Sequence, residues 1–76
     1  DVPETHVIDK DGALHYAFYA DSWNGEKIEL KGLDPSKKYI VTEYASSDKK
    51  SYEADGANPY IYPTFERNYL IEVREK

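Results

Sequence analysis

Apolar and aromatic side chains fall on every second position through much of this chain, and that spacing commits it to β-strands. Leu14, Tyr16, Phe18 and Ala20 alternate with Ala13, His15, Ala17 and Tyr19, and Ile28 and Leu30 alternate with Lys27, Glu29 and Lys31. Tyr39 and Val41 alternate with Ile40 and Thr42, and Tyr69, Ile71 and Val73 with Leu70, Glu72 and Arg74. Period two sends successive side chains to opposite faces of an extended strand, so one face can be buried and the other left wet. Eight Tyr, two Phe and one Trp supply rings suited to such a pleated, half-buried surface. No stretch of ten or more residues carries a helical period, and Asp34-Pro35-Ser36 could form one helical turn at most.

Turn chemistry separates the alternating runs. Asp11-Gly12 and Asn24-Gly25 are hairpin signals, with glycine supplying positive φ at the first. Gly32-Leu33-Asp34-Pro35-Ser36, the polar Ser46-Ser47-Asp48, and Asp55-Gly56-Ala57-Asn58-Pro59 mark the remaining corners. Strands are expected near 4–9, 13–20, 26–31, 39–45, 51–54, 60–65 and 69–75. Short strands at this spacing predict an all-β fold, an antiparallel β-sandwich of about seven strands with Greek-key-like connections. Pro63 cannot donate to a ladder, so the sixth strand should be an edge or carry a bulge. The predicted core comprises Ile8, Leu14, Tyr16, Phe18, Ile28, Leu30, Leu33, Tyr39, Val41, Ile61, Phe65, Ile71 and Val73. Leu33, Pro35 and Tyr39 form a structural corner in which the Tyr39 hydroxyl reaches back across the turn before its strand.

A chain of 76 residues holds one domain. It cannot hold a (β/α)₈ barrel, which needs about 250 residues. It contains no Met and opens Asp1-Val2-Pro3, from which we expect residues 1–76 to be a single domain excised from the end of a larger protein. With no Cys, disulfides and thiolate metal sites are excluded. No apolar run reaches the ~20 residues of a membrane span, so no membrane partner is expected. A net charge of −5, with Lys37-Lys38 and Lys49-Lys50 as the only basic pairs, argues against nucleic acid.

The candidate chemistries are thin. Glu43 and Glu72 are the least loop-like carboxylates, but nothing in their spacing makes them a glycosidase pair. Asp9-Lys10-Asp11-Gly12 opens like a calcium loop, yet its twelfth position is Ala20 where a closing Glu is required. His6 and His15 are the only imidazoles, and if Asp9 pairs with Ala13 they point to opposite faces, so neither metal nor cofactor is expected. Ser46, Ser47 and Ser51 lie outside any nucleophile elbow, and no catalytic residue is assigned. Trp23, in the loop Asp21–Gly25, and Tyr60 and Tyr62, on one face of a strand, could form an interface with a neighbouring domain, cover the core, or stack on sugar. Tyr44 and Tyr52 are expected nearby.

Longer pieces of the chain carry a resemblance. These are Asp11-Gly12-Ala13-Leu14-His15-Tyr16-Ala17-Phe18-Tyr19-Ala20, Trp23-Asn24-Gly25, Ile28-Glu29-Leu30-Lys31-Gly32-Leu33-Asp34-Pro35, Tyr39-Ile40-Val41-Thr42-Glu43-Tyr44, and the closing run from Phe65 to Val73. In this order they resemble the C-terminal β-sandwich of glycoside hydrolase family 36, the α-galactosidases or melibiases, over nearly the whole chain. The segment Leu-x-Gly-Leu-x-Pro-x-x-x-Tyr-x-Val also resembles fibronectin type III and other glycosidase C-terminal sandwiches. The family resemblance implies a parent whose catalytic Asp residues sit on an upstream barrel, with the sandwich packed on that barrel as a non-catalytic support. It further implies that the tyrosines form a face turned toward that partner. The rival readings are a stand-alone fibronectin-like or carbohydrate-binding module and, with no converging polar groups to support it, an enzyme in its own right.

Overall fold

A computed structural model of the chain describes residues 2–44 and 49–76. The strands are β1 (Glu4–Lys10), β2 (Ala13–Asn24), β3 (Ile28–Glu29), β4 (Lys38–Glu43), β5 (Ser51–Asp55), β6 (Tyr60–Ile61) and β7 (Thr64–Glu75). All pairings are antiparallel. Five strands form one sheet in the order β1-β2-β7-β4-β5, and β3 and β6 pair in a second, two-stranded sheet. The sandwich is therefore unequal, a broad sheet covered on one face by a narrow one. Strands β4 to β7 follow a Greek-key path, in which β6 crosses to the second sheet and β7 returns beside β4. The serine-rich turn expected at 46–48 lies outside the described residues.

Local chemistry explains where the elements differ from expectation. Asp11 and Gly12 both adopt positive φ, 55° and 76°, which makes a two-residue turn closed by the pair Lys10–Ala13. The expected pairing of Asp9 with Ala13 is off by one residue. A shift of one flips a strand's faces. His6 consequently lies opposite Ala17 and His15 opposite Ile8, which puts both imidazoles on the same face of the sheet instead of on opposite faces. Strands β2 and β7 run longer than predicted because a bulge at Asp21, opposite Arg67 in the left-handed region (φ 71°), bends the ladder without ending it. Trp23 thus lies in β2, not in a loop. Pro63 ends β6 after Ile61 instead of sitting within a longer strand, and its carbonyl accepts the Gly25 amide at 2.9 Å.

The core lies between the sheets. Phe18 from β2, Ile71 and Val73 from β7, Val41 from β4, and Leu30 beside β3 are fully buried, each worth about 1.5–3 kcal/mol relative to exposure. An unbroken file of rings runs through it: Tyr16 to Phe18 at 5.8 Å, Phe18 to Tyr69 at 6.3 Å, Tyr69 to Phe65 at 5.5 Å and Phe65 to Trp23 at 6.4 Å. The tyrosine surplus was expected to mark a partner face; three of the eight tyrosines, Tyr16, Tyr39 and Tyr69, are core instead. Of the predicted core, Leu14 and Leu33 are only half-buried. Ile8 is not core at all, being 62% exposed on the outer face.

Two polar ties fix the layers. The Tyr16 hydroxyl donates to the Lys31 carbonyl at 2.5 Å, and burial, with Tyr39 nearby, pushes its pKa up to about 12. The Tyr39 hydroxyl accepts the Asp34 backbone N–H at 2.9 Å. Leu33 packs half-buried at this corner and Pro35 is exposed. Gly56 presses against the same corner. A side chain there would begin 1.8 Å from the Asp34 carbonyl oxygen, so only glycine fits.

Candidate functional site

Three polar side chains, Glu43, Tyr52 and Tyr69, meet near the β5 edge. A cleft of about 310 Å³ is lined by Glu43, Tyr52, Tyr60, Ile61, Tyr62 and Tyr69, with Glu53 and Pro63 at its margin. Register places Glu43 on the inner face of the broad sheet beside Tyr69, and Tyr52 across from Val41 on the same face. The Tyr69 hydroxyl donates to Glu43 Oε2 at 2.5 Å, and the Tyr52 and Tyr69 hydroxyls lie 3.1 Å apart. A phenol has one proton. Tyr69 gives its proton to Glu43, so the proton between the two tyrosines is that of Tyr52. Burial raises both phenols above the ordinary tyrosine range, and for Tyr69 the bond to Glu43 adds to the effect.

The rings around this relay differ in access. Tyr62 is 63% exposed. Tyr60 is half-buried and carries the Lys27 ammonium 4.8 Å from its ring centre, which occupies one face. Trp23 is apart from the cleft. It is 5% exposed, stacked on Phe65, and its indole N–H donates to the Glu26 carbonyl at 2.8 Å. The three aromatics proposed from sequence therefore divide, Tyr60 and Tyr62 to the cleft and Trp23 to the core. Sequence reading placed Tyr52 near them, correctly, and Tyr44 as well, which lies elsewhere. It weighed Glu43 only as a carboxylate without a partner and gave Tyr69 no place in a site. Their one available signal was a shared odd-numbered face of two strands, and that needed the β4–β7 pairing, absent from any local pattern.

The outer face of the broad sheet has a different character. Ile8, Ala17 and Leu70 form an apolar strip there with His6, His15 and Tyr44 around a shallow hollow of about 210 Å³. The Tyr44 ring stacks 6.5 Å from His15, and its hydroxyl donates to Glu72 at 3.1 Å. Arg74 also bonds Glu72 at 3.1 Å and, with Tyr44, holds that carboxyl below its ordinary range. Glu72 sits opposite Thr42, hence on the face away from Glu43, so the two carboxylates do not meet across a cleft. On the inner side of β1, Val2, Pro3, Thr5 and Val7 border a third, mainly apolar cleft against Tyr16 and Ile28. Among the described residues no group of three or more His, Asp or Glu is placed to hold a metal ion, and no helix is long and apolar enough to cross a membrane.

The chain is thus a small antiparallel sandwich with a tyrosine-lined cleft at one edge and an uncovered apolar strip near the other. It is 36% identical over 95% of its length to part of a protein from Flavonifractor plautii described as an A type blood alpha-D-galactosamine galactosaminidase. The chain spans 7% of that protein's length, so it corresponds to a small segment of a larger glycosidase-named chain. No family model matches the sequence, and no solved structure gives a match.

Proposed function

We propose that this chain is a non-catalytic accessory domain of a glycoside hydrolase, related to the C-terminal sandwiches of the α-galactosidase-like family 36 enzymes. The observation that carries this reading is the pattern of similarity: nearly all of this chain aligns with 7% of a galactosaminidase. The parent would cleave a terminal α-linked galactose-type sugar on a (β/α)₈ barrel, and this domain would pack on the barrel and support it. Its contact surface is the strip of Ile8, Ala17 and Leu70 with the flanking Tyr44, reached from β1. A free-standing fibronectin-like or carbohydrate-binding module would leave that strip permanently wet, which is the reason to prefer the docked reading.

A segment exchange tests it. This chain would replace the aligned segment of the galactosaminidase, with and without Ile8→Asp and Leu70→Asp. The unmodified exchange should keep activity and thermal stability. The charged variants should lower the inactivation temperature while leaving kcat/KM at low temperature unchanged. Equal stability in all versions would sink the docking surface.

A further inference from the structure

We infer that the cleft at the β5 edge is a binding subsite for a single pyranose sugar, held by the Tyr62 ring and by acceptor groups of the wall formed by Glu43, Tyr52 and Tyr69. Protons decide what the wall can offer a ligand. Tyr69 donates to Glu43, and Tyr52 donates to Tyr69. Both phenolic protons are therefore used within the wall. What the wall can still offer is acceptor capacity, on the Glu43 carboxylate and the Tyr52 oxygen. A ligand matched to it must bring donors, and adjacent sugar hydroxyls do so. Hydrogen bonds to a carboxylate are also the stronger kind.

The second requirement is an apolar platform, since a pyranose ring has a C–H face. Tyr62 meets it. Its ring is 63% exposed beside the wall and Ile61 is at its base. Tyr60, with Lys27 over its ring, serves as a side wall instead of a platform. A cleft of about 310 Å³ holds one sugar ring and not an extended chain. Few polar groups converging beside apolar rings is the usual form of a small-molecule site.

The site does not depend on docking. Strands β1 and β5 are the two opposite edges of the broad sheet, and the apolar strip lies on its other face. The subsite could thus stay open in a docked domain. Its failure would leave the accessory role untouched, and failure of docking would leave the subsite untouched.

Backbone amide shifts of the 76-residue chain would be followed during titration with methyl α-galactopyranoside, methyl α-glucopyranoside and, as a donor-rich control without a ring face, sorbitol. At least one pyranoside should give saturable shifts at millimolar concentration, centred on Glu43, Tyr52, Tyr60–Tyr62 and Tyr69, with sorbitol inert. Tyr62→Ala, at an exposed position, should weaken binding about tenfold with an unchanged unfolding midpoint. Glu43→Gln keeps an acceptor for Tyr69 but loses the charge, and should weaken it by a smaller factor. A flat response to both pyranosides, an equal response to sorbitol, shifts centred elsewhere, or indifference to Tyr62→Ala would each overturn the subsite.

Discussion

The two edges of the broad sheet have the same kind of pairing and opposite surroundings. Strand β1 pairs only with β2, over seven residues, and every one of those residues is exposed. Strand β5 has its ladder with β4, over five, and Tyr52 and Ala54 pack against the core while Gly56 after it is locked under the Asp34 corner. The longer ladder belongs to the less protected strand. Backbone pairing therefore does not decide which edge is anchored; coverage of the side chains does. The second sheet stops short of β1, leaving Val7 on one side and Ile8 on the other in contact with solvent.

On that contrast, substitutions at the β5 end should cost far more than those on β1. Gly56→Ala should be the most damaging, about 3 kcal/mol, because its Cβ must displace backbone rather than a side chain. Urea unfolding would measure it, and a loss under 1 kcal/mol would mean the corner is looser than described. Next comes alkali. Tyr16, Tyr52 and Tyr69 have pKa values raised by folding, so the fold favours their protonated forms. Each contribution is complete below the ordinary tyrosine value near 10 and falls away above it, that of Tyr16 being lost as pH rises through about 12. Unfolding midpoints across that window should fall together with the appearance of tyrosinate absorbance, and a flat profile would contradict the buried relay. Tyr39→Phe should cost about 1 kcal/mol, since the Asp34 N–H loses its acceptor. Smallest of all, Ile8→Ser should change the stability of the isolated chain by no more than about 0.5 kcal/mol. A larger loss would show that β1 is anchored after all.

Much of this architecture could be read from the residues, and the failures have identifiable causes. Period-two alternation located β2, β3, β4 and β7, and turn signals bounded the other three; the inward positions of β2, β4 and β7 followed from the alternation, because those strands are covered on one face only. Ile8 misled for the same reason in reverse. It sits in a strand with the right period, but burial depends on whether a second layer reaches that far, and no local pattern encodes that. The face assignment of the two histidines turned on one residue of hairpin register, set by Asp11 taking positive φ alongside Gly12. Trp23 was misplaced because a bulge let β2 continue past Asp21. In the cleft, Tyr60 and Tyr62 were visible as neighbours in sequence. Glu43 and Tyr69 stand 26 residues apart, and their contact exists only through the pairing of β4 with β7.

The central place of β7 also sets an order of events in time. The hairpins β1–β2 and β4–β5 are made of neighbours and can close as soon as they are synthesised, but neither touches the other in the sheet. Both pair with β7, the last strand of the seven, with partners as distant as Leu14 and Val73. Until Thr64 to Glu75 has left the ribosome the two hairpins have nothing to join them, and the inward rings of β2 and β4 stay wet. Such non-local closure is slow compared with hairpin formation. The sheet is then completed from its middle in a single late step, so assembly of this domain follows its translation instead of accompanying it.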